Sequence, residues 1–459
     1  TIDRIETIKL IPDQENEIIV INVQNFEEVV SEIYHSCAQQ NIIPPNGMSY
    51  SQSGDQITVI AKMGRQITLQ DRLCLDLSRK SFFDAQNKHQ DLTQRIVQHL
   101  SALEPQLVIS PKENLVTNDV PIILEIIRQK YPELWFIDQF QWQSRQGKIN
   151  LLTTFDQQKL NLILQENEKL KLAVAKYTAF KHQSPYKNEL QLAKQLMANV
   201  KYTSKSQDKY ENDHLYDSIG CLVNGKCMCQ GYAMAFSLLA YMLGLNVIQV
   251  AGIMKNPQPG QNPRHRWNMI EIKGKFYHID TTWIKDQSCM IYFNFSDELR
   301  YAQIRMDDEF VLIPPKADTM EANYFEVNKK MITDLDNTMK YIKNSKPGIK
   351  HYFCTKEVDV NVAQEVIQLR YELGTPLKYK TGYSAQLPLN LKYVEFELEL
   401  DDVMLIKDFP KDSINFNAKY IVHDDGNFKQ NIQESLKLGA ASVNWKQWGQ
   451  IYEISYVKK

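Results

Sequence analysis

The sequence predicts an α+β protein in which a central mixed domain is flanked by small strand-helix-strand-strand repeat modules. Two observations point there. One element order recurs loosely, twice before residue 155 and twice after residue 350, and a chain that repeats itself has to be read as modules before anything else. Between the pairs the texture changes, with helical spacing followed by an alternating apolar-polar hairpin. The length of 459 residues, 43% hydrophobic and 24% charged, is enough to bury several cores rather than one. The expected division is 1–104 for the first module with a trailing helix, 105–155 for the second, 156–183 for a linker helix and 184–312 for the central domain. A linker over 313–349 and two further modules, 350–410 and 411–459, complete it.

In the first module, Glu17 to Val23 reads as a strand, Asn25 to Gln39 as a helix opened by an Asn cap, and Met48 to Lys62 as a hairpin turning at Ser53-Gly54-Asp55. The second repeats the order with Leu107 to Ser110, Asp119 to Lys130 and Phe140 to Thr154, turning near Gln146-Gly147. The third has a strand at His351 to Cys354, a helix at Asn361 to Glu372, and strands at Lys378 to Ser384 and Leu391 to Leu400. The fourth runs through Tyr420 to His423, a helix at Asn427 to Leu438, and strands at Ala441 to Lys446 and Gln450 to Val457. The alternating aromatics Tyr50, Trp142, Tyr383 and Trp445 are read as the sheet face that packs under each helix, not as a stacking platform for ligands.

Phe155 to Tyr177 has a long charged helical pattern, with Glu166, Glu168, Lys169 and Lys171 as a solvated face. Ser184-Pro185 is a helix start signal, with proline in the first turn where a missing amide costs nothing. Ala233 to Met254 is long enough to span a bilayer, but Ser237, Gly244, Asn246 and Gln249 interrupt it, so it is read as a buried helix, a turn and a buried strand.

A net charge of −2 gives no reason to expect nucleic acid or an anionic membrane surface as partner. The seven cysteines are an odd number, which argues against a disulfide scaffold. Cys221, Cys227 and Cys229 crowd together, yet Cys-Met-Cys is not a two-residue ligand spacing and no second pair follows, so no metal is expected. With no phosphate loop and no calcium-loop carboxylate pattern, no cofactor is expected either; His423-Asp424-Asp425-Gly426 is read as a turn.

The chemistry concentrates around Cys229. The stretch up to Lys226 suits a loop, whereas Tyr232, Ala235, Phe236, Leu239 and Leu243 recur at helical spacing, so Cys229 falls at a helix N-terminus. Unsatisfied amides and the positive end of the helix dipole there stabilise a thiolate, and the same amides can donate to an oxyanion. Residues 264 to 283 alternate on both sides of Lys273-Gly274, which reads as a tight hairpin. If Ile272 faces Lys275 across a two-residue turn, His265 faces Thr282 and Asp280 is its diagonal neighbour on the same face. A carboxylate beside an imidazole is the arrangement that fixes the tautomer and stabilises imidazolium. His278 shares the parity and competes for the histidine role; His265, at the open end of the hairpin, is favoured by a modest margin.

The segments Cys229-Gln-Gly-Tyr-Ala-Met-Ala-Phe, His265-Arg-Trp-Asn-Met-Ile and Phe276-Tyr-His-Ile-Asp-Thr-Thr-Trp, in that order, closely resemble the signatures of the bacterial transglutaminase-like domain. The resemblance covers about Ser184 to Leu312. It implies a papain-like fold and a triad with Cys229 as nucleophile, His265 as general base and acid, and Asp280 as its orienter, and it settles against His278. Trp267 and Trp283 match positions expected to be structural, and Tyr292-Phe-Asn-Phe-Ser-Asp resembles the segment that closes the domain. Tyr216, before the cysteine loop, is a candidate oxyanion partner, with packing as the stronger alternative.

The implied chemistry is acyl transfer or hydrolysis on protein or peptide amides through a thioester. The alternative is a catalytically silent surface-binding scaffold that keeps the fold. Multi-module chains rich in lysine and asparagine resemble exported or surface proteins of Gram-positive bacteria, so an extracellular or cell-surface location is expected, with cytoplasmic residence as the alternative. The missing initial methionine is compatible with a removed leader. The flanking modules are expected to hold a cell-surface or host protein ligand, and no membrane-spanning segment is expected.

Overall fold

A computed structural model describes residues 10–63, 75–332, 349–355, 377–382, 394–400 and 404–459, apart from short internal stretches. By contacts the chain forms two compact units, Thr1–Gly252 with Arg264–Glu271 and Asp307–Pro315, and Ile253–Pro263 with Ile272–Met306 and Lys316–Lys459. Helices and several small sheets together make the architecture α+β.

The first unit opens with β1 (Glu15–Ile21), β2 (Met48–Ser53) and β3 (Gln56–Lys62), in the sheet order β1-β3-β2. β3 pairs antiparallel with both neighbours, Ile18 opposite Val59 and Tyr50 opposite Val59. The hairpin turns at Gly54, whose φ of 63° is comfortable only without a Cβ. Alternate residues Ile57, Val59 and Ala61 are buried against Val29, Ile33 and Cys37, the period-two pattern of a half-buried sheet. Helix α1 (Gln90–Ser101) follows. The second sheet, β4 (Gln106–Ile109), β5 (Phe140–Arg145) and β6 (Lys148–Thr153), repeats the order β4-β6-β5, with α2 (Asp119–Lys130) between its first two strands. Its expected turn at 146–147 lies outside the described residues.

Helix α3 spans Gln157–Tyr177, but its charged face is not uniformly solvated as expected. Glu166 is 1% exposed and Asn167 is 5% exposed. Lys169 reaches Glu166 at 2.8 Å while keeping half of its own surface in water, and the Trp135 indole donates to Asn167 Oδ1 at 2.9 Å. A long lysine stem can pair with a buried carboxylate from the rim, so local charge density does not report which face turns inward. Glu168 and Lys171 do stay exposed.

Helix α4 (Pro185–Asn199) begins after Ser184 as expected, although the serine side chain bonds no helix amide. Then come β7 (Lys201–Tyr202), α5 (Ser218–Leu222), β8 (Lys226–Cys227, parallel to β7), α6 (Cys229–Met242), β9 (Val247–Met254) and β10 (Arg264–Ile272). The apolar stretch from Ala233 is therefore a buried helix, a turn with Gly244 at φ 74°, and a buried strand. Among the described residues no helix is long and apolar enough to cross a membrane.

The second unit carries β11 (Lys275–Ile279), antiparallel to β12 (Phe293–Phe295), then α7 (Asp297–Gln303) and β13 (Ile304–Met306). Two further sheets follow. β14 (Met331–Ile332), β15 (Lys350–Thr355), β16 (Leu377–Gly382) and β17 (Val394–Leu400) run in the order β14-β15-β17-β16. β18 (Met404–Ile406), β19 (Ala418–His423), β20 (Ala440–Trp448) and β21 (Ile451–Lys458) run in the order β18-β19-β21-β20. In these two sheets and the two of the first unit the last strand lies inside, antiparallel to β1, β4, β15 and β19 respectively. Helix α8 (Phe428–Leu436) opens after Asn427; the helix expected over 361–372 lies outside the described residues.

Two of the strand aromatics each meet another ring yet stay open to water. Tyr50 stacks on Phe26 at 3.8 Å and is 53% exposed, and Trp445 meets Phe428 edge-on at 5.3 Å and is 51% exposed. Trp142 and Tyr383 lie among side chains outside the description.

Candidate active site

Cys229 is the first residue of α6 and is almost wholly buried. Met228, the residue before it, is extended (φ −91°, ψ −179°), and no side chain caps the helix, so the first-turn amides are not consumed by a capping group. The helix start is pressed against the loop behind it. A Cβ on Gly231 would lie 2.6 Å from Cys227 Cβ and 3.0 Å from the Asp217 carbonyl oxygen. The Met228 amide donates to the Leu215 carbonyl at 2.7 Å, which brings the segment holding Tyr216 alongside; Tyr216 itself is half exposed.

That loop is fixed by Asp217, the N-cap of α5. Its carboxylate accepts from the Ile219 and Gly220 amides at 2.8 and 3.1 Å and meets His214 Nδ1 at 2.8 Å. Burial pushes its carboxyl up, against the pull of His214 and the two amides. Gly220 admits no side chain, because a Cβ would fall 1.9 Å from the His214 carbonyl oxygen. Cys227 is fully buried beside Cys221, and burial raises its thiol well above the ordinary range.

His265 is the second residue of β10, buried, its ring stacked on Trp267 at 6.0 Å and 15°. Three residues on, Asn268 donates through Nδ2 to the Ala233 carbonyl at 3.0 Å and to Ser237 Oγ at 2.9 Å. The strand bearing His265 is thereby registered against the helix bearing Cys229. Between them in sequence, Arg266 pairs with Glu125 of α2 at 2.9 and 3.2 Å. Gln129, one turn along α2, closes the joint, exchanging two hydrogen bonds with the Gln249 backbone at 2.6 and 2.8 Å.

β10 ends at Ile272 and β11 begins at Lys275. Lys273 and Gly274 both have positive φ, 53° and 77°, so the connection is the two-residue primed turn that the register expectation needs. Past β11, Asp280 is fully buried. Its Oδ1 accepts from the Thr282 amide at 3.2 Å, and its Oδ2 meets Arg300 Nη2 of α7 at 2.8 Å. Arg300 is itself fully buried, its guanidinium 4.5 Å from the Trp283 ring and 4.7 Å from that of Phe295. His278, the competing histidine, meets Asp297 at 2.8 Å, and burial drops its imidazole to about 4 despite that carboxylate.

Sequence reasoning did not single out Arg300, Glu125, Asn268 or Asp217. Only Asp217 has a local signal, an acidic residue opening a short helix. The other three are held by partners between 20 and 141 positions away in sequence, as with Arg300 and Asp280 or Glu125 and Arg266.

Residues 173–281 match the family model of the transglutaminase-like superfamily. No curated protein matches the sequence at a significant level. Among solved structures, the chain is similar to a proposed cysteine protease from Cytophaga hutchinsonii, 14% identical, over 31% of this chain and 61% of that one, with a TM-score of 0.21. It is similar also to a TGase, 14% identical, over 39% of this chain and 52% of that one, again with a TM-score of 0.21. The chain spans less than two thirds of either. The segment that matches the transglutaminase-like superfamily runs from α3 to the residue after Asp280 and contains Cys229, His265 and Asp280.

Proposed function

We propose that this domain is a cysteine-dependent enzyme acting on protein or peptide amides, with Cys229 as nucleophile, His265 as general base and acid, and Asp280 as the carboxylate that orients His265. The observation that carries the reading is the placement of Cys229 at the uncapped start of a 14-residue helix, inside the family-matched segment. In the reaction, His265 takes the Cys229 proton and the thiolate attacks the amide carbon. The oxyanion is met by first-turn amides of α6, with Tyr216 as a further candidate donor. Collapse breaks the C–N bond, His265 protonates the departing amine, and a thioester remains. Water then gives hydrolysis or deamidation; a primary amine gives a new amide.

Wild type and Cys229→Ala incubated with candidate proteins, with and without a labelled primary amine, test this. Cysteine-dependent incorporation of label means transfer, and cysteine-dependent cleavage or deamidation means hydrolysis. Equal behaviour of the two proteins sinks the assignment. The reading extends to an exported or surface protein of a Gram-positive bacterium whose flanking modules hold a protein ligand; recovery of the native chain only from cytosol would overturn that extension.

A further inference from the structure

A carboxylate that orients a histidine has to stay ionised, and Asp280 has to do so with no exposure to water. Burial alone drives a carboxyl towards its neutral form. Among the described residues a full countercharge touches it, Arg300, held on α7 by the helix bond from its amide to the Ser296 carbonyl at 3.1 Å and packed against the Trp283 and Phe295 rings. Arg300 lies on Oδ2 and the Thr282 amide donates to Oδ1.

We propose that Arg300 is a positioning residue for Asp280, keeping the buried carboxylate charged and fixing its plane so that it serves His265. This rests on the triad reading above. The ionisable groups around the pair are His278, whose own partner is Asp297, and Tyr292 and Tyr301 beside Arg300. None of them replaces the guanidinium as a positive charge near neutral pH, since His278 is held neutral by burial.

The test is the pH dependence of Cys229 alkylation by iodoacetamide, with peptide mapping, in wild type, Arg300→Met, Arg300→Lys, Asp280→Asn and the double variant Asp280→Asn/Arg300→Met. With Arg300 gone, Asp280 takes up a proton at higher pH, the imidazolium loses its partner and the thiol is reprotonated. The rate at pH 6 is expected to fall about tenfold or more in Arg300→Met, to converge within about twofold of wild type at pH 9, and to recover largely in Arg300→Lys. In the Asp280→Asn background the second substitution is expected to change nothing further. Should Arg300→Met fail to fold, the double variant, which buries neither charge of the pair, is compared with Asp280→Asn, which keeps the Arg300 charge, and equal acid limbs in the two are the expected result. An unchanged acid limb in folded Arg300→Met, or a further loss in the double variant, overturns the proposal alone. A wild-type Cys229 that alkylates no faster than a free thiol at neutral pH overturns the triad reading, and this one with it.

Discussion

Arg266 grips Glu125 through two guanidinium nitrogens, one residue along the chain from His265. The contact ties α2, which lies between the strands of the second small sheet, to the strand that presents the candidate base. Burial by itself would raise the Glu125 carboxyl, but Arg266 and Arg128 beside it outweigh that and hold it at about 2, against 4.5 for a free glutamate. Glu125→Leu removes the partner of both Arg266 and Arg128 in a buried site and is expected to cost roughly 3–5 kcal/mol by urea denaturation, whereas the double change with Arg266→Met recovers part of it. The sign with pH follows. The stabilisation is complete above the unfolded value of 4.5 and drains away as pH falls towards 2, so wild type and the double variant converge in acid.

Gly231→Ala should be disproportionately harmful for so small a change. The added methyl meets Cys227 Cβ and the Asp217 carbonyl inside contact distance, so the start of α6 has to move. A loss of about 1–3 kcal/mol is expected, together with a drop in Cys229 alkylation rate. A stable protein with unchanged Cys229 reactivity would show that the helix start tolerates displacement.

The two histidines should separate cleanly. His265→Ala is expected to lower the turnover of any amide substrate about 10²- to 10⁴-fold, whereas His278→Phe keeps turnover near wild type and changes stability instead.

His278 also predicts an acid limb of stability. Its imidazole is held at about 4 in the fold, against 6.5 when free. The unfolded chain binds the proton first, so stability falls as pH drops from 6.5 towards 4, by on the order of 2–3 kcal/mol. Denaturant midpoints of wild type should slope downward across that window, and those of His278→Phe should be flatter there.

Much of this was legible in the sequence, for identifiable reasons. Strand and helix periods in and beside the first and last small sheets place Ile57, Val59 and Phe428 inward, because alternation and capping are local properties. Cys229 could be put at a helix start because polar loop and helical spacing meet there. The turn at Lys273-Gly274 was readable because glycine at a left-handed position is nearly a local necessity. What could not be read was the set of partners. Nothing within a few residues of Arg300 says that it is buried on Asp280, or that Glu166 turns inward while Glu168 stays in water. These pairings depend on where distant elements pack, and charge patterns along one helix do not contain that information.

The shared strand order also has a consequence for solubility. Placing the last strand inside leaves β1 and β2, and β4 and β5, on the rims of the two sheets of the first unit, with backbone donors and acceptors that invite another chain to add on. The rim strand β2 meets the hazard with Ser-Tyr-Ser-Gln-Ser, polar and almost entirely exposed. In the second unit β15 and β19 are instead shielded by the short parallel strands β14 and β18. Loss of either cover should show first as concentration-dependent self-association at β15 or β19, before any change at the cysteine.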